Sequence, residues 1–143
     1  MSSTEMSTYI ALWGAGLSTL LALVKLWEFW QDRFRIDIGY NFTGSEAEGN
    51  EIFIRNLSGN PLILSYWEVL YSSGRWPRRK LELVECPEHD AGDCRIEPHS
   101  TLTLGFYEAR HFAWGHKALN GRKISIRLHI AGRKPILKLV YPS

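Results

Sequence analysis

The sequence predicts an all-β fold, an antiparallel seven-strand immunoglobulin-like sandwich preceded by one N-terminal transmembrane α-helix. Three observations predict it: an uncharged run of sixteen residues from Tyr9 to Val24, seven later segments with strand patterning, and turn-forming residues between those segments. The chain has 143 residues, so about 110 remain after the helix, which is the size of one sandwich. We therefore expect a short tail at 1–8, a transmembrane helix at 9–30 and a β-sandwich domain at 31–143.

The predicted membrane helix joins the uncharged run to the segment Lys25–Trp30. Sixteen residues alone are few for a hydrocarbon core of about 30 Å, and the continuation supplies the missing length. Lys25 and Glu28 share a helix face, so they can form an ion pair. Amphipathic aromatic residues, which favour membrane interfaces, lie near both ends of the span: Tyr9, Trp13, Trp27 and Trp30.

A removed signal peptide and a buried helix of a soluble protein are the two alternatives for this segment. A signal peptide requires a positively charged start and a small-residue cleavage site, and the sequence has neither. The buried helix stays open because the uncharged run is short.

The charges that flank the helix predict its orientation. Residues 1–8 contain no Lys or Arg, whereas Lys25, Arg33 and Arg35 lie on the other side. The positive-inside rule therefore predicts a single-pass membrane protein with its N-terminus outside and its C-terminal domain in the cytoplasm, in a bacterial inner membrane. Two N-glycosylation patterns, at Asn41 and Asn56, would matter only in a eukaryotic secretory lumen.

Small side chains recur every fourth residue within the helix, at Gly14, Ser18 and Ala22. This spacing lets two helix backbones approach closely, which would allow a homo-oligomer to form through the helix. The alternative is that small residues are simply common in membrane helices.

Alternation with a period of two begins after the helix, where Ile36, Ile38, Tyr40 and Phe42 fall on one side of a strand. Six further strands are predicted at 51–56, 62–71, 81–84, 101–106, 123–130 and 135–141. The stretch 62–71 is apolar on both faces, as in a central strand, and 107–119 breaks the alternation and can contain a helical turn. In strand number and spacing the domain resembles immunoglobulin- and fibronectin-like sandwiches, but it lacks the Cys…Trp…Cys signature of true immunoglobulin domains.

One loop contains both cysteines and two histidines, Cys86, His89, Cys94 and His99. Two thiolates and two imidazoles suit tetrahedral Zn²⁺, and the spacing is close to that of a zinc knuckle with two ligand types changed. A loop without metal and a Cys86–Cys94 disulfide are the alternatives, and a cytoplasmic location predicts free thiols. We expect no metal and no cofactor, and a metal- or redox-responsive module is the alternative function.

No motif for catalysis occurs in the sequence, and the region 107–119, where His111 and His116 flank Trp114, is the only place where an enzyme site is conceivable. We therefore expect a non-enzymatic interaction module that binds an unknown protein partner beside the lipid bilayer. All eight charged residues after Glu108 are basic, and nucleic acid is not expected because no reading motif is present. Five of these cations are predicted to contact the anionic membrane surface: Arg122, Lys123, Arg127, Arg133 and Lys134.

Overall fold

The computed structural model describes residues 2–31, 33–89 and 91–142. The chain divides into two compact units, Met1–Arg33 and Phe34–Ser143. The first contains a single helix, and the second contains the β-strands.

The N-terminal helix α1 runs from Ser3 to Gln31, so it begins six residues earlier than the predicted helix at 9–30. The backbone amide of Ser2 donates a hydrogen bond of 3.0 Å to the Glu5 carboxylate. This contact is one half of a capping box, and it satisfies a donor at the start of the helix. The predicted ion pair between Lys25 and Glu28 is confirmed, with 2.7 Å between Nζ and Oε2.

The span Ser3–Trp30 is long and apolar enough to cross a membrane, and none of its most apolar window is buried inside the structure. Its exposed side chains include large residues such as Trp13, Leu20 and Phe29, which are 73, 62 and 71% exposed. Ser18 does not leave a free hydroxyl on the stripe of small residues, because its Oγ donates to the Gly14 carbonyl oxygen at 2.8 Å. The helix therefore exposes large apolar side chains along most of its length.

The second unit contains eight strands in the described residues, one more than the seven predicted. Their bounds are β1 Ile36–Asn41, β2 Asn50–Asn56, β3 Leu62–Ser73, β4 Lys80–Glu85, β5 Cys94–Ile96, β6 Thr101–Phe106, β7 Lys123–Ile130 and β8 Ile136–Tyr141. The unpredicted strand is β5, which has only three residues and therefore shows no alternation that a sequence pattern could reveal.

All strand pairs are antiparallel, in two sheets. The first sheet has the order β1-β2-β6, and the second has the order β4-β3-β7-β8 with β5 also paired to β3. The prediction that 62–71 forms a central strand is confirmed, since β3 has β7 on one side and both β4 and β5 on the other.

A single apolar core joins the two sheets. Ile52 and Ile54 of the first sheet and Val69, Ile126 and Leu128 of the second are fully buried in it. The region between β6 and β7 contains a 3₁₀ turn at Glu108–Arg110 and a short helix α2 at His116–Leu119, as its broken alternation predicted. The buried residues Phe106, Phe112 and Leu119 belong to the same core.

The β unit has two opposite ends, the entry end and the hairpin end. The chain enters at Phe34, and the loops at 57–61, 97–100 and 131–135 lie at this entry end because β2, β5 and β7 end there. The β3–β4 hairpin lies at the other end. The twelve residues of β3 are separated by eleven steps of about 3.4 Å, so the two ends are roughly 37 Å apart.

Candidate interaction surface

The five cations predicted to contact lipid are separated along β7 rather than clustered. Arg122 and Lys123 lie where β7 begins, and Arg133 and Lys134 lie in the turn that follows its end. The eight residues of the strand span about 24 Å, which is about three Debye lengths at physiological ionic strength. The two pairs therefore act as separate charged sites.

Arg122 is engaged in the structure of the domain. Its guanidinium donates hydrogen bonds of 3.0 Å to the carbonyl oxygens of Leu119 and Ala118, at the end of α2, and of 3.0 Å to the Glu82 carboxylate. It also lies over the Tyr71 ring, 4.4 Å from the ring centroid. Burial raises the pKa of Tyr71, and the Arg122 charge opposes that shift. Arg122 is therefore not a free cation for a lipid headgroup.

The neighbouring residues Arg122 and Lys123 should differ in their effect on stability. Arg122→Gln removes a cation–π contact and charged hydrogen bonds, so we expect it to lower the free energy of unfolding by about 1–2 kcal/mol. Lys123→Gln should change it by less than about 0.5 kcal/mol, because that side chain is exposed and has no ion-pair partner in the described part of the chain. Urea unfolding of the full chain in detergent, followed by tryptophan fluorescence, measures both values. Equal effects would contradict the structural role of Arg122.

Arg127 points away from the core, as predicted, but its charge is paired. Its Nη1 lies 2.9 Å from Oε2 of Glu68, and the two side chains are 33% and 19% exposed. His129 approaches the same carboxylate oxygen at 3.4 Å, and its ring packs edge-on against Tyr66. The pairing follows from the register, because Glu68 and Arg127 are directly opposite on β3 and β7.

Arg133 and Lys134 are exposed in the turn at the entry end. The Arg133 guanidinium lies 4.0 Å from the centroid of the Phe34 ring, the first residue of the β unit. Of the five predicted cations, Lys123, Arg133 and Lys134 thus have no carboxylate partner among the described residues.

The cysteine and histidine loop does not form an assembled metal site. Within residues 2–31, 33–89 and 91–142, no three His, Cys, Asp or Glu side chains come together as ligands. Cys86 and Cys94 are free thiols. Cys94 packs against the core from β5, whereas Cys86 follows β4, where its side chain interacts with Tyr66 and raises the pKa of that phenol. The two cysteines therefore belong to different segments, Cys94 to β5 and Cys86 to the chain after β4.

In the region 107–119, one histidine and one tryptophan hold a neighbouring loop. Both His111 Nε2 and Trp114 Nε1 contact the Thr43 carbonyl oxygen, at 3.1 and 2.8 Å. These contacts tie the segment after β6 to the loop that follows β1. His116 lies at the start of α2.

The most exposed basic segment is one that the sequence patterns did not single out, the tip of the β3–β4 hairpin. Residues 74–80 are all exposed, and Trp76, at 86%, is the most exposed large apolar side chain in the described residues. The segment contains four cations and no acid: Arg75, Arg78, Arg79 and Lys80. The signal was present in the sequence as Arg-Trp-Pro-Arg-Arg-Lys, an unbroken basic and aromatic run.

No protein-family model matches the chain, and comparison with curated proteins gives no significant match. Its function is therefore inferred from its own residues.

Proposed function

We propose that this chain is a membrane-anchored, non-enzymatic interaction module, which presents an immunoglobulin-like β-sandwich at the cytoplasmic face of a bacterial inner membrane. The observation that carries the proposal is the contrast between the two units. Residues 3–30 of α1 are all exposed, whereas the β unit encloses its own core. A helix with exposed large apolar side chains along most of its length is unfavourable in water and favourable in a bilayer.

The proposed orientation rests on the cations that flank the helix. Lys25, Arg33 and Arg35 lie on the side of the β unit, and the N-terminal segment contains only the acidic Glu5. This distribution favours a cytoplasmic β unit.

The immunoglobulin-like assignment is supported by the strand order. A three-strand sheet of β1, β2 and β6 faces a sheet whose continuous order is β4-β3-β7-β8. This resembles the A-B-E and C-F-G groupings of immunoglobulin sandwiches, in which the sequential strands are divided in the same way. The short β5 differs, because it pairs with β3 instead of joining the first sheet.

The cations without partners would set how the domain lies at the membrane. Arg133 and Lys134 lie at the entry end, where the chain leaves the helix, so they are the two nearest to acidic headgroups once the helix is inserted. Each such charge contributes about 1 kcal/mol before screening, whereas Lys123 lies at the opposite end of β7. Proximity labelling in cells, with a biotin-labelling enzyme fused to the C-terminus of the chain, would identify the protein partner. A set of neighbours no different from that of a fusion carrying α1 alone would contradict a role for the β unit in binding.

The β unit should fold without the helix. We expect residues 33–143 to give a soluble protein with a circular dichroism spectrum of β type, since the unit has its own core and α1 contributes nothing to that core cluster. The same preparation should be monomeric if self-association requires the stripe at Gly14, Ser18 and Ala22. A helical or disordered spectrum would contradict the independence of the unit.

A further inference from the structure

We propose that the β3–β4 hairpin and the exposed face of the second sheet form a docking surface for a bilayer containing acidic phospholipid. The tip contributes Trp76 and four cations, Arg75, Arg78, Arg79 and Lys80. This inference rests on the proposed membrane anchoring and adds to it the surface of the domain that lies against lipid.

The cations of the tip are available for an anionic ligand. Among the described residues, none of the four has a carboxylate within ion-pair distance. Lys123 adds a fifth cation at this end of the sheet, because it lies opposite Ser72 at the base of the hairpin, across β3 from the strand that begins at Lys80. Five positive charges thus converge at one end of the sheet. The neighbouring acid, Glu82, is already paired with Arg122.

Exposed leucines lie beside this cluster on the two edge strands of the second sheet, β4 and β8, while the residues between them on β3 and β7 are buried. Residues opposite one another in a ladder share a face, and the register places Leu83 opposite Leu70, which lies opposite Ser125 and then Leu139. Leu81 lies in the adjacent row, opposite Ser72. Leu81, Leu83 and Leu139 are 38, 54 and 44% exposed, although they belong to a folded sheet. A water-facing sheet normally presents polar residues here.

A membrane interface suits this combination better than the other anionic partners do. Tryptophan is enriched at the headgroup level of bilayers, and basic residues beside it are attracted to acidic lipid. Single-stranded nucleic acid is bound in grooves where several aromatic side chains stack on successive bases, whereas the hairpin tip is exposed throughout and has one aromatic residue. Exposed leucines beside the tip fit acyl chains and not a phosphate backbone. The occupant we infer is therefore the surface of an acidic bilayer.

The surface can be tested with the full chain in vesicles. The native cysteines are first removed by Cys86→Ser/Cys94→Ser. A single cysteine is then introduced by Leu83→Cys on the proposed face or by Thr103→Cys at an exposed position of the other sheet. After reconstitution, an impermeant polarity-sensitive dye labels the outward-facing domains at high salt, where docking is screened. The vesicles contain phosphatidylcholine with or without phosphatidylglycerol.

We expect the label at 83, but not the label at 103, to shift to the blue and to be shielded from an aqueous quencher when phosphatidylglycerol is present at low salt. Arg78→Glu/Arg79→Glu should lower the ratio of docked to free domain by at least about tenfold, because two attractions become repulsions. The control Arg95→Glu/Lys117→Glu makes the same change in net charge away from the hairpin, and it should dock almost as well as the wild-type chain. Trp76→Ser should weaken docking without changing the charge.

Several results would overturn the inference. One is a label at position 83 that stays exposed to the quencher on acidic vesicles. Another is shielding that depends on protein density in pure phosphatidylcholine, because it would indicate that a second copy of the chain covers this face. Shielding of the label by a single-stranded oligonucleotide, and not by acidic lipid, would make the surface a nucleic-acid site. Carbonate extraction of the same vesicles separates this failure from a failure of anchoring, because anchored protein stays with the lipid whether or not the hairpin docks.

Discussion

Replacing Asn56 with alanine is expected to lower the free energy of unfolding of the β unit by about 3 kcal/mol or more. The side chain is fully buried at the entry end. Its amide donates to the carbonyl oxygens of Asn60, Ile96 and Glu97 at 2.8, 3.3 and 3.2 Å. Its carbonyl oxygen accepts from the backbone amide of Ser58 at 3.0 Å and from the Ser58 hydroxyl.

The large effect follows from the groups that the substitution would leave without partners. One side chain joins the end of β2 to the loop before β3 and to the end of β5. A buried polar group without a hydrogen bond costs about 1–3 kcal/mol, and Asn56→Ala orphans more than one. Since small domains are stable by about 5–15 kcal/mol, such a loss is a large part of the total.

Asn60→Ala is the matched control for this prediction. Asn60 takes part in the same network through its backbone carbonyl, while its side chain is exposed, so the change should cost less than about 0.5 kcal/mol. Urea unfolding of the full chain in detergent measures both variants. An unfolding midpoint of Asn56→Ala equal to that of wild type would show that the network does not hold the entry end.

The second large effect concerns the helix, where Leu17→Arg/Leu20→Arg should abolish membrane anchoring. An arginine at the centre of a membrane helix costs about 2.5–3.5 kcal/mol for insertion, so two cost about 5–7 kcal/mol. Both leucines are exposed on α1, so the β unit should keep its fold. The measurement is the fraction of protein that stays in the membrane pellet after carbonate extraction.

Leu17→Ala/Leu20→Ala controls for the loss of the two leucine side chains without adding charge. This variant should remain in the pellet, because alanine is tolerated in a span that keeps Leu12, Leu21 and Leu23. Pelleting of the arginine variant at the wild-type level would mean that α1 does not cross the bilayer. Extraction of wild type itself would contradict the anchoring proposal.

The strands that the sequence predicted well are those with long alternation on one buried face. In β7, Ile124, Ile126, Leu128 and Ile130 all enter the core, and the predicted range 123–130 equals the observed one. Alternation fails for β5, where three residues pair with the edge of β3 and only Ile96 is fully buried. Pairing with a neighbour, and not local pattern, makes that segment a strand.

The candidate surface was less predictable than the fold, because charge counts along a chain ignore pairing in space. Arg122 and Arg127 were expected to be free, but Glu82 and Glu68, forty and fifty-nine residues away, neutralise them. The charge pattern of the sequence did not indicate the hairpin tip. Its four cations directly precede the acidic stretch 82–97, whose negative charges offset them in the net charge of +2. Only the register, which places Lys80 opposite Ser73 and Lys123 opposite Ser72 on the two sides of β3, shows that cations from distant segments lie at the same end of the sheet.

The topology of the chain in the membrane tests the central claim most directly. In a Cys86→Ser/Cys94→Ser background, single cysteines at Ser2→Cys and Ala47→Cys report the two sides, since both positions are exposed. With an impermeant thiol reagent and intact bacterial cells, we predict labelling at position 2 and labelling at position 47 only after the inner membrane is opened. Labelling at position 47 in intact cells, or at neither position until the membrane is opened, would contradict a helix that crosses the bilayer with the β-sandwich in the cytoplasm.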